Sequence, residues 1–80
     1  MHLQVYSLKK TLFDGEVKSL NCKTTSGEIT ILENHLPLVT ALKPGTLTIV
    51  DKKEKKEYIA ISSGFIETQN NQARAIVEEA

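Results

Sequence analysis

The residues able to carry chemistry are few and scattered. Two histidines, His2 and His35, stand far apart, and the single cysteine is Cys22. Together with Glu33 they form no metal-ligand spacing. Asp14 and Glu16 flank a glycine and read as exposed turn carboxylates, and Glu78-Glu79 sit near the end of the chain. Neither pair shows the burial and convergence that general acid–base catalysis needs. Ser62 or Ser63 could face His35, but no acidic orienter or nucleophile elbow accompanies them. The four glycines are dispersed among turns and make no phosphate-cradling loop. The run Lys52, Lys53, Lys55, Lys56 is interrupted by Glu54 and Glu57, so it reads as a solvated hairpin tip that discourages edge pairing. Catalytic, cofactor and metal sites are therefore all expected to be absent.

The elements that would position these residues are strands. Val, Ile and Thr supply 20 of the 80 residues, and they suit a pleated, half-buried surface. Short apolar runs recur every 8 to 12 residues between turn residues, the rhythm of an all-β sandwich or barrel. The expected strands cover 2–7, 11–13, 16–24, 28–32, 38–42, 46–51, 57–62, 64–69 and 72–78. Leu3 and Val5 share a face, as do Ile29 and Ile31, Leu47 and Ile49, and Ile59 and Ile61. Val17 is out of phase with Leu20 and Cys22, which predicts a bulge or bend near Lys18-Ser19. Such a bend lets one strand serve two sheets. Leu20 and Cys22 read as core. Asp14-Gly15, Ser26-Gly27 and Asn70-Asn71 read as turns, and Lys43-Pro44-Gly45 as another. Pro37 belongs at a strand start or an edge. The segment 73–80 fits strand or helix; strand is preferred, because Asn70-Asn71 makes a hairpin with the run before it.

An 80-residue chain buries only about two-thirds or less of its unfolded surface, so this is one domain, residues 1–80, with a thin core. Ten basic and ten acidic residues give zero net charge, and aromatics make up 5%. A nucleic-acid binder usually carries a basic surplus and stacking rings, so no nucleic acid is expected as a partner. No segment is apolar for long enough to cross a bilayer, and the start lacks signal-peptide regions. A cytosolic chain without direct membrane insertion is expected, and one cysteine fits a reducing compartment.

The unusual stretch runs from Gly27 to Gly45. Asn34-His35-Leu36-Pro37 places polar side chains and a rigid proline beside Leu36, Leu38 and Val39, as interaction surfaces do. This stretch resembles the epsilon subunit of F-type ATP synthases (delta in mitochondria). That family shows Gly-Glu, then Asn- or Gly-His, Pro with two apolar residues and Thr, and finally Lys-Pro-Gly. Gly27-Glu28, Asn34-His35, Pro37-Leu38-Val39-Thr40 and Lys43-Pro44-Gly45 stand in that order and spacing. The start, His2 through Val17, is similar to the family's first hairpin, and Ser62-Ser63-Gly64-Phe65-Ile66-Glu67 to its Ser-Gly-Gly-Phe motif.

The resemblance implies a two-sheet β-sandwich of about ten short strands. It implies a non-catalytic rotor subunit in the central stalk, docked between the gamma subunit and the c-ring, which couples proton flow to ATP synthesis. Its place would be peripheral, at the cytoplasmic face of a bacterial inner membrane. Carried over by position, Thr25, Ser26, Gly27 and Glu28 form the loop that faces the c-ring, with Glu28 the main polar contact. Ser7, His35, Leu36, Thr40, Ser62 and Glu67 lie toward gamma. Thr30, Glu33, Leu36 and Ser63 depart from the family's Gly, Pro, Ala and Gly, and the partner groove is expected to be adjusted there. No C-terminal helical hairpin is expected within these residues; a shortened and a naturally short member fit equally. A competing reading is a lipoyl- or biotinyl-type carrier domain with a modified lysine at Lys52.

Overall fold

The computed structural model describes all 80 residues, and every regular element is a strand. They are β1 (His2–Tyr6), β2 (Thr11–Thr24), β3 (Gly27–Leu32), β4 (Leu38–Leu42), β5 (Gly45–Asp51), β6 (Lys56–Gln69) and β7 (Gln72–Glu79). The nine expected runs are thus seven strands, because two pairs of them are continuous. The runs 11–13 and 16–24 are one strand, β2, and the runs 57–62 and 64–69 are one strand, β6. Each bends instead of breaking.

The bends convert one hydrogen-bonded system into two layers. The first half of β2 pairs with β1, and its second half pairs with β3 and β5. The first half of β6 pairs with β5, and its second half with β4 and β7. The only parallel pairing is β1 with β7. In β2 the register against β5 shifts between Val17 and Ser19, at the predicted place. The residue passed over is Lys18, so Val17 and Leu20 both point inward although their parity differs. The corresponding shift in β6 lies between Ile61 and Ser63.

The expected turn at Asp14-Gly15 does not form. Gly15 pairs with Leu3 and Asp14 with Gln4, inside an unbroken ladder. A turn there would leave the backbone groups of β1 unpaired, and the tertiary ladder outweighs the local Asp-Gly preference. The chain turns at Thr25-Ser26, with Gly27 opening β3, and only bends at Pro44, with Gly45 opening β5. Asn70 and Asn71 both have positive φ (52° and 56°), which suits a two-residue hairpin between strands of right-handed twist. Asp51 caps the β5–β6 turn, its carboxylate accepting from the Lys53 and Lys55 amides at 2.8 and 2.9 Å. Pro37 immediately precedes β4, and 73–80 lies almost wholly in strand β7.

The core lies between the layers. Leu3, Val5, Ile66, Ala73, Ala75 and Val77 come from one layer; Leu20, Cys22, Ile31, Leu47, Ile49 and Ile61 come from the other. Burial pushes the Cys22 thiol up to about 11, so the native chain holds it protonated and inert. Space is tightest at the β6 bend. A Cβ on Gly64 would lie 2.7 Å from the Ile76 carbonyl oxygen and 2.9 Å from a Val77 methyl. Gly64→Ala is therefore expected to destabilise the fold by about 1–3 kcal/mol. In a domain this small that lowers Tm by at least about 4 °C. A thermal melt indistinguishable from that of the unsubstituted chain would refute the assignment of Gly64 as a packing constraint.

Candidate functional site: an apolar and charged face across four strands

Side chains alternate along each strand, so every strand of the β1–β7–β6–β4 layer shows half of its residues to solvent. The registers align these residues into rows. Tyr6 stands opposite Ile76, Ile76 opposite Phe65, and Phe65 opposite Ala41. Four strands thereby contribute one apolar row. Phe65 is 64% exposed and Ile76 48% exposed. Val39, 72% exposed, lies diagonal to Phe65 on β4, within reach of an aromatic ring. The next row reads Gln4, Arg74, Glu67 and Val39. A third, at the Asn70-Asn71 end, carries His2, Gln72 and Gln69.

The expected site residues take different positions around this face. Glu67 lies on it. Leu36 is 78% exposed in the connection leading into β4. Its carbonyl accepts from the Thr68 hydroxyl at 2.9 Å and from His35 Nδ1–H at 2.7 Å, which pins the connection to β6 and leaves His35 Nε2 free. The Asn34 amide donates to the Asn71 side chain at 2.7 Å, and Asn34 itself has φ 59°. The His35-Leu36 segment is thus fastened at both sides. Ser7 and Ser62 lie near the opposite end of the face. The Ser7 hydroxyl accepts from the Lys9 and Lys10 amides in the β1–β2 turn. Ser62 Oγ lies 3.4 Å from the Glu78 carbonyl oxygen. Five residues of strand separate Ser62 from Glu67, roughly 16 Å, so the set spans the length of the face and does not converge on one point. Thr40 is half-buried on the inward side of β4, between outward Val39 and Ala41.

The hairpin 25–28 belongs to the other layer. Thr24 is buried, and its hydroxyl donates to the Gly27 carbonyl at 2.8 Å and accepts from the Ser26 amide at 3.1 Å. Gly27 takes φ 120°, a conformation that side chains rarely adopt. The Thr25 amide donates to the Ala41 carbonyl at 3.3 Å, which ties the tip to β4. Glu28 points outward and accepts from Asn21 Nδ2 at 3.2 Å.

Three of the four departures from the family pattern have local polar partners. Thr30 Oγ1 accepts from Asn21 Nδ2 at 2.9 Å. The Ser63 hydroxyl donates to a Glu78 carboxylate oxygen at 3.0 Å. Glu33 holds the Lys52 ammonium and the Met1 ammonium. Lys52 is thus half-exposed and ion-paired, which does not suit a carrier lysine displayed at a tip.

At the other margin, His2 lies between two carboxylates, with Nε2 2.7 Å from Asp14 and Nδ1 3.1 Å from Glu16. The hydrogen bond from His2 is the largest influence holding the Glu16 carboxyl below its ordinary value, and the Met1 ammonium adds to it. The apolar row itself was missed by sequence reasoning. Phe65 is part of a recognised motif, but nothing in the sequence aligns it with Tyr6, Ile76 and Ala41.

What this architecture defines is a small β-sandwich that displays an apolar row across four strands and a fastened hairpin. The sequence profile of the ATP synthase delta/epsilon chain β-sandwich domain matches residues 1–80, and the chain belongs to that family. Among solved structures, a chain of the Euglena gracilis mitochondrial ATP synthase (OSCP/F1/c-ring) superposes with TM-score 0.90 at 25% identity. The match covers 96% of this chain and 49% of that one. A chain of the Tetrahymena thermophila mitochondrial ATP synthase (central stalk/c-ring) gives TM-score 0.80 at 19% identity, covering 99% and 63%. This chain therefore spans about half the length of the first chain and under two-thirds of the second. No helix of the molecule is long and apolar enough to cross a membrane.

Because the folded pKa of Glu16 lies below its unfolded value, its contribution to stability is complete above the unfolded value. It is lost as pH falls through the folded one. The unsubstituted chain is expected to exceed Glu16→Gln in Tm near neutral pH, and the margin should shrink on acidification below about pH 4. Parallel melting curves at every pH would remove the His2–Glu16 contact from the account.

Proposed function

We propose that this protein is a non-catalytic rotor subunit of a proton-translocating F-type ATP synthase. It docks the gamma subunit onto the c-ring and so couples proton flow to ATP synthesis. The observation that carries the proposal is the outward row Tyr6–Ile76–Phe65–Ala41. Exposed rings and aliphatic side chains in register across four strands have no role in the core of this molecule, and they are the kind of surface that a partner desolvates. A standard interface covers about 800 Å² per partner, roughly a sixth of the 5007 Å² surface here, so a single partner would take this entire face. Gamma is the partner assigned to it, with Glu67, His35 and Leu36 along one margin and Ser7 and Ser62 at the other end. Thr40, half-buried on the inward side of β4, belongs to the same assignment by family position.

The hairpin Thr25-Ser26-Gly27-Glu28 is assigned to the c-ring, because it is a separate, rigidly anchored projection of the other layer. On this reading the protein works at the membrane periphery, at the cytoplasmic face of a bacterial inner membrane. The carrier-domain alternative gains no support from an ion-paired Lys52.

Phe65→Ser is expected to weaken binding to purified gamma subunit at least tenfold in titration calorimetry, with little change in Tm, since Phe65 is exposed. Equal dissociation constants would sink the assignment of this face. Glu28→Lys is expected to lower proton-driven ATP synthesis in reconstituted enzyme more than it lowers gamma binding. Full synthesis by that variant would sink the assignment of the hairpin.

A further inference from the structure

The face assigned to gamma carries two charges that the molecule itself leaves unused. Glu67 and Arg74 stand directly opposite each other on β6 and β7. Opposite charges in such positions commonly pair across strands. His2 and Glu16, opposite each other on β1 and β2, follow that habit, and His2 also reaches Asp14. Neither Glu67 nor Arg74 joins any ion pair or side-chain hydrogen bond. Between them and the Asn70-Asn71 turn the surface dips into a shallow hollow of about 150 Å³. Its rim carries Gln4, Glu67, Gln69, Gln72 and Arg74. The hollow has the size of one side chain, and its lining is almost wholly polar. Two residues along the strands, roughly 7 Å away, the apolar row begins.

We propose that Arg74 and Glu67 set the register of the docked stalk partner by reading the order of its charges. A carboxylate side chain of the partner seats in the hollow against the Arg74 guanidinium, flanked by the Gln4 and Gln72 carboxamides. A cationic side chain of the partner, one strand spacing further on, meets Glu67. The planar fork of a guanidinium matches a carboxylate in two parallel hydrogen bonds, which fixes orientation as well as position. The apolar row is sequence-tolerant and would let a partner slide along the face. An ordered pair of opposite charges beside it does not, because a reversed order brings like charges together. The inference rests on the assignment of this face to the gamma subunit. It adds Arg74, which the family resemblance does not place at that contact.

The experiment compares five chains by calorimetry against purified gamma subunit from the same organism, at low and high salt. They are the unsubstituted chain, Phe65→Ser, Arg74→Glu, Glu67→Arg, and the double exchange Glu67→Arg/Arg74→Glu. Each single charge reversal is expected to weaken binding by about tenfold or more, less so at high salt. The double exchange is the deciding variant. It preserves composition, net charge and the chance of a pair within the chain, yet it reverses the order of charges that the partner meets. It is expected to bind at least as weakly as either single variant. Binding of the double exchange equal to that of the unsubstituted chain would overturn the proposal, as would single reversals that leave affinity within twofold. Either result beside a weakened Phe65→Ser leaves the docking face standing and removes only its charge reading. Unchanged binding by Phe65→Ser, or no binding by the unsubstituted chain, removes the docking face and this inference with it.

Discussion

Everything in this molecule hangs on two strands that bend without breaking. β2 and β6 are each 14 residues long, and each gives one half to either layer. Held flat, they would build a single sheet with one apolar face open to water. The inserted residue Lys18 flips the side-chain phase of β2, so that Val17 and Leu20 both turn inward. In β6 the same change of layer occurs beside Gly64, where no side chain would fit. The two bends lie far apart in sequence. They act as opposite corners of one fold, because β5 pairs with both strands.

The closure leaves the core almost entirely aliphatic. Its fifteen buried members include no aromatic residue. Phe65 and Tyr58 are each 64% exposed, and Phe13 packs only at the core's margin. A small domain that holds large rings on its surface forgoes burial free energy of about 1.5–3 kcal/mol per side chain. A partner docked over them would recover it, since aromatic residues dominate interface hot spots. The aliphatic interior and the ring-bearing exterior are thus two sides of one arrangement: the scaffold is rigid enough without its aromatics to offer them outward.

Rigidity extends to the connections. The hairpin at 25–26 is held by Thr24 from within and by Ala41 from the side. The connection at 34–37 is held by Thr68 and Asn71. Three of the four positions read as departures from the resembled pattern carry local contacts, Thr30 with Asn21, Ser63 with Glu78 and Glu33 with Lys52. Such contacts reduce what a loop must lose in conformational freedom on meeting a partner, and so favour association.

Much of this was legible in the chain itself. Alternation of Leu3 with Val5 and of Leu47 with Ile49 marked inward faces, because side chains on a strand have a fixed period of two. The phase slip between Val17 and Leu20 located a bend, and Asn70-Asn71 located a hairpin, because both signals are local. The ordered motifs from Gly27 to Gly45 pointed to the family. Tertiary structure alone decided three things. Asp14-Gly15 lies inside a ladder and not in a turn, because the free edge of β1 claims its backbone. Nine expected runs are seven strands, because a bulge redirects a strand without ending its hydrogen bonds. Tyr6, Ala41, Phe65 and Ile76 form one row, and Glu67 meets Arg74, because register is set between strands distant in sequence. A one-residue slip in any of those pairings would send the same side chains to the opposite face.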